Sequence, residues 1–304
     1  MTLQLLESLS LPGDPAKPNE DAFAHAPQAA LVMDGATPLG AALMPGPSDA
    51  AWLAQFGCRR LMAHLQDGDA PKDALVHALA DATKSFEALR RHPVREKWET
   101  PCASMMLVTQ AQASLPLAHS AGGGGARSTD QVRRAEGEIE FMWFGDCTAL
   151  LLRKDSCDII GDAFDKRGQE ADRARKIAKE KNLAPASDLN RPEILTVLRA
   201  ARNRINSGHN WLFSPEPRAA AHVSHQTAKA APGDLLLVAS DGFLALATDY
   251  GAYDAKTLME AARDKGLVDL GQELRAIEAD DAMGEKFARF KKSDDATALL
   301  LEIK

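Results

Sequence analysis

Apolar residues fall along this chain in two kinds of block. In the first they are nearly continuous: 29–33 (AALVM), 103–109 (ASMMLVT), 138–144 (EIEFMWF), 148–153 (TALLLR), 234–240 (DLLLVAS) and 296–303 (ATALLLEI). Runs of this length, bounded by Gly, Asp or Ser, predict short buried strands. In the second kind, apolar positions recur every three or four residues. Ser48 can cap a helix to about Leu65, with Leu53, Phe56, Leu61 and Leu65 along one side. Pro71 opens another, in which Leu75, Leu79, Ala82, Phe86 and Leu89 form the stripe. Both stripes predict faces turned to a core.

Residues 162–208 read as helical and highly charged, with a second amphipathic segment opened by Pro192. A last helical region spans 254–289, just ahead of the final strand. Between 103–109 and 138–144 lies AHSAGGGGARSTDQVRRAEGE. Its four glycines lack the Gly-Lys-Ser/Thr of a phosphate loop, so a floppy connection between two strands is the expectation. No repeat and no Pro/Ser-rich linker divides the chain, which predicts one domain over 1–304.

Composition narrows the classes. Of 304 residues, 45% are apolar and 26% charged, ordinary for a globular protein with a sizeable core. A net charge of −7 speaks against a general nucleic-acid binder. Cys58, Cys102, Cys147 and Cys157 form no C-x-x-C pair, which favours reduced thiols and a cytoplasmic protein. No apolar run approaches the roughly 20 residues of a membrane helix, and the N-terminus is a poor signal peptide. A monomer without membrane or nucleic-acid partners is expected.

The candidate chemistry lies at the strand ends. In LVMDGATPLG, Asp34 and Gly35 close an apolar run. An Asp-Gly pair is common turn chemistry, but the context repeats. Asn19-Glu20-Asp21 precedes Ala22-Phe23-Ala24, Asp146 sits in Phe144-Gly145-Asp146-Cys147, Asp241 ends LLLVASDG, and Asp294-Asp295 open the last strand. Carboxylates from separate strands that converge at one edge of a sheet core suit hard divalent cations such as Mg²⁺ or Mn²⁺.

The ordered set NEDA, MDGAT, TPCAS, WFGDC, ASDGF and SDDAT resembles the metal-dependent protein phosphatases of type 2C, from about Asn19 to the C-terminus. The resemblance implies an α/β (α+β) fold of four αββα layers, a central antiparallel β-sandwich flanked by helices. It implies a site for two Mn²⁺ or Mg²⁺ ions, with a weak third, at one end of the sandwich. There Asp34 would bridge both metals, the Gly35 carbonyl would bind the second, and Asp241 and Asp294 would complete the first. Glu20 and Asp21 would act near the metals largely through water, and Asp146 would serve the third. The implied activity is hydrolysis of phosphoserine and phosphothreonine in phosphoprotein substrates by a hydroxide held between the ions, with 162–209 as a flap that sets partner choice.

Several positions depart from the family pattern. Ala36-Thr37 stands where the family has His-Gly, the histidine being proposed to protonate the leaving group. Ala16 replaces a phosphate-binding arginine, leaving Lys17 as the nearby cation. Ala245 replaces a co-ligand of the third metal, and Asp295 replaces an asparagine. These motivate two alternatives: a catalytically weak relative that senses a phosphorylated partner, and a phosphatase for a small phosphorylated metabolite. His222-x-x-His225 would point to opposite faces of a strand and is not expected to ligate metal. Asn210, Trp211 and Phe213 are expected to pack the charged segment onto the body, with a grip on substrate as the lesser reading of Trp211.

Overall fold

A computed structural model describes residues 1–111, 137–165, 168–181 and 192–304; the tetraglycine connection lies outside them. Among the described residues, ten strands form two five-stranded antiparallel sheets. The first contains β1 (Leu3–Leu11), β6 (Thr148–Leu152), β7 (Cys157–Ile160), β9 (Leu235–Ala239) and β10 (Ala296–Ile303), in the order β1-β10-β9-β6-β7. The second contains β2 (Asp21–Ala26), β3 (Ala29–Gly35), β4 (Ala103–Gln110), β5 (Gly137–Phe144) and β8 (Ser224–Ala230), in the order β2-β3-β4-β5-β8.

The continuous apolar runs arise because both faces of the central strands are covered. Successive side chains point to opposite faces. Ala30 and Val32 of β3 and Met106 and Val108 of β4 turn inward, meeting Leu236, Val238, Leu299 and Leu301 of the other sheet. Leu31, Met33, Met105 and Leu107 turn outward against α1 (Asp49–Gln66) and α2 (Pro71–Leu89). On the far side, Leu237, Ala239, Ala298 and Leu300 pack under α5 (Asp241–Thr248), α6 (Ala255–Lys265) and α7 (Leu267–Asp280). Helix, sheet, sheet and helix are therefore four layers around three apolar seams, the expected αββα architecture.

The helices begin where the sequence predicts. The Ser48 hydroxyl accepts from Ala51 N at 3.3 Å to cap α1, and Pro71 stands in the first turn of α2. Leu89 departs from its stripe, ending α2 at 50% exposure. The region 254–289 is two helices, broken at Gly266 (φ +86°), where a Cβ would meet the Glu7 carboxylate at 2.9 Å; regular helix ends at Asp280. Three strands and a helix go beyond the sequence pattern. A bulge between Leu5 and Glu7 disrupts the alternation of β1. Strands β7 and β8 lie at sheet edges; the first is only four residues long and the second is largely polar and exposed. Helix α5 is short and buried almost throughout, so its apolar run carries no stripe. The charged segment contains α3 (Gln169–Lys181) and α4 (Pro192–Arg202). Among the described residues no helix is long and apolar enough to cross a membrane.

Candidate metal centre at the strand ends

Antiparallel register brings the first two carboxylates together: Asp21 on β2 lies directly opposite Asp34 on β3. Just beyond Asp34, a Cβ on Gly35 would come within 2.6 Å of the Glu20 carbonyl and 2.8 Å of that of Ala50. Only glycine lets the strand end pass between them, which answers why Asp34 is followed by one. Asp146 sits in the β5–β6 turn, where Gly145 takes φ +73° and the Ser104 hydroxyl donates to Asp146 Oδ1 at 2.6 Å. Asp241 opens α5 directly after β9. The next residue, Gly242, lies so close to the Asp295 carbonyl that a Cβ would stand 2.0 Å from it. This contact locks the Ser-Asp-Gly turn against Asp294-Asp295.

The result is convergence: Asp34, Asp146 and Asp241 each offer a carboxylate oxygen within 4.8 Å of the others. Oxygens across one hard cation, with bonds of about 2.0–2.6 Å, are separated by up to roughly 4–5 Å, so the spacing suits such an ion. Asp21 supplies an independent sign. Ser240 Oγ donates to its Oδ2 at 2.8 Å, whereas its Oδ1 is buried with no hydrogen-bond partner. A buried carboxylate oxygen without a donor is costly; a cation or its water would satisfy it. The residues therefore fit a divalent centre.

Electrostatics agree. Burial pushes the Asp34 carboxyl well above the usual carboxylate range, and the charges of Asp21, Asp294 and Asp146 add to the shift. Burial, reinforced by Asp294, Asp295 and Asp241, likewise raises Asp21, to about 8, against the Ser240 hydrogen bond. Burial raises Glu20 as well, although the Ser48 hydroxyl donates to Glu20 Oε1 at 2.5 Å.

These raised values predict how stability responds to metal. Without a cation, the folded carboxylates hold protons more tightly than the unfolded chain does. Their contribution to stability is full below the unfolded carboxylate range near pH 4 and is lost as pH rises toward 8. A divalent ion removes that penalty. The rise in Tm on adding saturating Mn²⁺ should be larger at pH 8 than at pH 5, measured by scanning calorimetry on chelator-treated protein. An equal or smaller rise at pH 8 contradicts it.

The outer members of the site have other duties. Asp294 Oδ1 is hydrogen-bonded by the Lys291 ammonium, which also contacts Thr37 Oγ1 at 3.3 Å. Burial works to lower the pKa of Lys291, but Asp294, Asp34 and Asp241 outweigh it and hold it above the ordinary lysine value. Asp295 accepts from Gly13 N at 2.7 Å on one oxygen and from Glu20 N at 2.6 Å on the other. An asparagine could accept only one of these, so the departure at Asp295 has a structural reason. Lys17 is 69% exposed and ion-paired with Asp14 at 3.6 Å.

Lys291 is the cation that sequence reasoning missed. Its position three residues before Asp294 was the available signal. It lines a cleft with Asp241, Asp294, Ala245, Arg289 and, from α3, Arg175. Helix α4 anchors to the loop after Gly35: Arg199 donates to the Leu39 carbonyl at 2.6 Å, and Arg202 reaches the Thr37 carbonyl at 3.4 Å. His222 and His225 part company. The first stacks on Trp211 at 3.6 Å between centroids, and the second meets Glu140 at 3.0 Å. Phe213 is fully buried in the seam beneath α1 and α2. All four cysteines are free thiols, and burial raises the pKa of each.

No protein-family model and no curated protein sequence matches the chain. Solved structures do. The Mycobacterium tuberculosis serine/threonine phosphatase PstP/Ppp matches at 14% identity and TM-score 0.53, over 100% of both chains. The PPM Ser-Thr phosphatase MsPP from Mycobacterium smegmatis, in complex with cacodylate, matches at 16% and 0.52, over 99% of this chain and 100% of that one. The catalytic domain of PstP in complex with two manganese ions matches at 15% and 0.51, over 99% of both. The fold is that of the PPM-type serine/threonine phosphatases, as the sequence resemblance implies.

Proposed function

We propose that this protein is a metal-dependent phosphoric monoester hydrolase that acts on phosphoserine and phosphothreonine in proteins, the whole chain forming one such domain. The observation that carries the reading is the convergence of Asp34, Asp146 and Asp241 beside the orphaned oxygen of Asp21. It stands on a fold shared with phosphatases, one of them in complex with two manganese ions. Asp34, Asp241 and Asp294 are the proposed ligands of the metal pair, with the Gly35 carbonyl, and Asp146 of a weaker third. When bound, such a pair lowers the pKa of water and neutralises phosphoryl oxygens for in-line attack.

The chain's own residues do the rest. Glu20 and Asp21 orient water around the cations, Glu20 held by Ser48 and Asp21 by Ser240. Lys291 supplies positive charge at the cleft in place of the arginine missing at Ala16, a role for which Lys17 is poorly placed, paired as it is with Asp14. The test is hydrolysis of p-nitrophenyl phosphate and a phosphothreonine peptide with and without Mn²⁺. Turnover that needs the metal supports the reading; no turnover of either substrate overturns it.

One observation favours the second reading, a phospho-partner sensor: the Lys291 ammonium engages a carboxylate oxygen of Asp294, one of the proposed ligands. That reading expects phosphopeptide binding without turnover.

The segment at 162–209 sets partner choice in this proposal, because α3 brings Arg175 to the wall of the cleft. Charge reversal at Arg173, Arg175 and Lys176 should cut turnover of a phosphoprotein severalfold while leaving p-nitrophenyl phosphate hydrolysis nearly intact. Parallel losses on both substrates would rule the role out.

A further inference from the structure

A second group of metal-ligating side chains lies at the α1–α2 turn. His64 comes from the last turn of α1, Asp69 from the connection, and His77 from the second turn of α2. His77 Nδ1 lies 2.7 Å from Asp69 Oδ2, and His64 Nδ1 lies 3.3 Å from the same oxygen. All three side chains offer ligand atoms within 4.8 Å of one another.

The other nitrogen of His64 is already engaged. Its Nε2 lies 3.0 Å from Asp81 Oδ2, a carboxylate held by Arg60 through Nε at 2.7 Å and Nη2 at 2.5 Å. Arg60 Nη2 also stands 3.5 Å from Nε2, the longer of the two contacts. A neutral imidazole has one N–H. If His64 gives it to Asp81, its Nδ1 lone pair faces the lone pairs of Asp69, acceptor against acceptor. Only a second proton or a cation between them resolves this. A histidine whose far nitrogen donates to a carboxylate is also the usual arrangement of a metal-bound imidazole.

We propose that His64 Nδ1, His77 Nδ1 and the Asp69 carboxylate bind one zinc-class divalent ion, with water in the fourth position and Asp81 orienting His64. Two imidazoles and one carboxylate suit Zn²⁺ better than Mg²⁺ or Mn²⁺. Bonds of about 2.0–2.2 Å in a tetrahedron place ligand atoms roughly 3.3 Å apart, so the observed spacing needs an opening of a few tenths of an ångström at His77. That side chain is 53% exposed, which gives it room to move and the ion a way in. The ion clasps the ends of α1 and α2, the pair that covers β3 and β4.

The test uses the intact chain carrying Asp34→Asn, to weaken zinc uptake by the acidic centre, and titrates Zn²⁺ alone by calorimetry after chelator treatment. One equivalent should bind, with a rise in Tm. Adding His77→Gln should abolish that event, and Asp81→Asn should weaken it by about 10–100-fold. Far-UV circular dichroism and the zinc-free Tm verify that each variant folds. Zinc binding unchanged by His77→Gln, or no zinc event before that substitution is added, would overturn the proposal.

Discussion

Asp34→Asn should abolish metal-dependent phosphatase activity while leaving the fold intact. A loss of roughly 10²-fold or more is expected, equivalent to about 2.7 kcal/mol of transition-state stabilisation. The reason is position: Asp34 faces Asp21 across the β2–β3 ladder and shares a pocket of oxygens with Asp146 and Asp241. Asparagine keeps the shape but removes the charge that would hold the cations. A turn residue would tolerate the exchange well. A second readout separates the two roles. Relief of crowding among Asp21, Asp294 and Asp146 should raise the metal-free Tm even as activity disappears. Activity within about tenfold of the parent at saturating Mn²⁺ would refute the proposed ligand role of Asp34.

The second large effect concerns the leaving group. Serine and threonine alkoxides leave poorly unless protonated, and a positioned acid contributes about 10²–10⁴-fold. Ala36 stands where the resemblance expects histidine, and no histidine is among the described residues lining the cleft beside Asp241 and Asp294. His92 is half-buried, its Nδ1 3.1 Å from the Pro93 carbonyl, and His209 is exposed. Discrimination in favour of aryl over alkyl phosphates should therefore be strong. Ala36→His should raise turnover of a phosphothreonine peptide more than that of p-nitrophenyl phosphate. The measurement is kcat against leaving-group pKa across a series of aryl phosphates, in parent and variant. A shallow slope already present in the parent would reveal a working acid, and the prediction would fail.

Local rules made much of this legible in the sequence. Continuous apolar runs marked the central strands, and Ser48 and Pro71 marked the helix starts, because both signals act within a few residues. The carboxylates were visible for the same reason: each ends a strand or opens the next element. Their ordered motifs also carried the fold. What escaped was decided by neighbours distant in sequence. Strand β1 finds its partner in β10, 303 facing 3, at the other end of the chain, and a bulge scrambles its pattern. Edge strands β7 and β8 gave little signal, one being only four residues long and the other mostly polar. Asp295 looked like a departure from an asparagine until Gly13 and Glu20 were seen to donate to both its oxygens.

The same division holds at the centre of the molecule. The types of its candidate ligands and the strand ends that carry them were determined by the sequence alone. Tertiary structure decided which of them meet: Asp34, Asp146 and Asp241 converge, Lys291 and not Lys17 lines the cleft beside Asp241 and Asp294, and His64 and His77 join through Asp69. The physical reason is distance. Charge and burial act through space over a few ångströms, and only the packed sheets bring residues as far apart in sequence as Gly13 and Asp295 within that range.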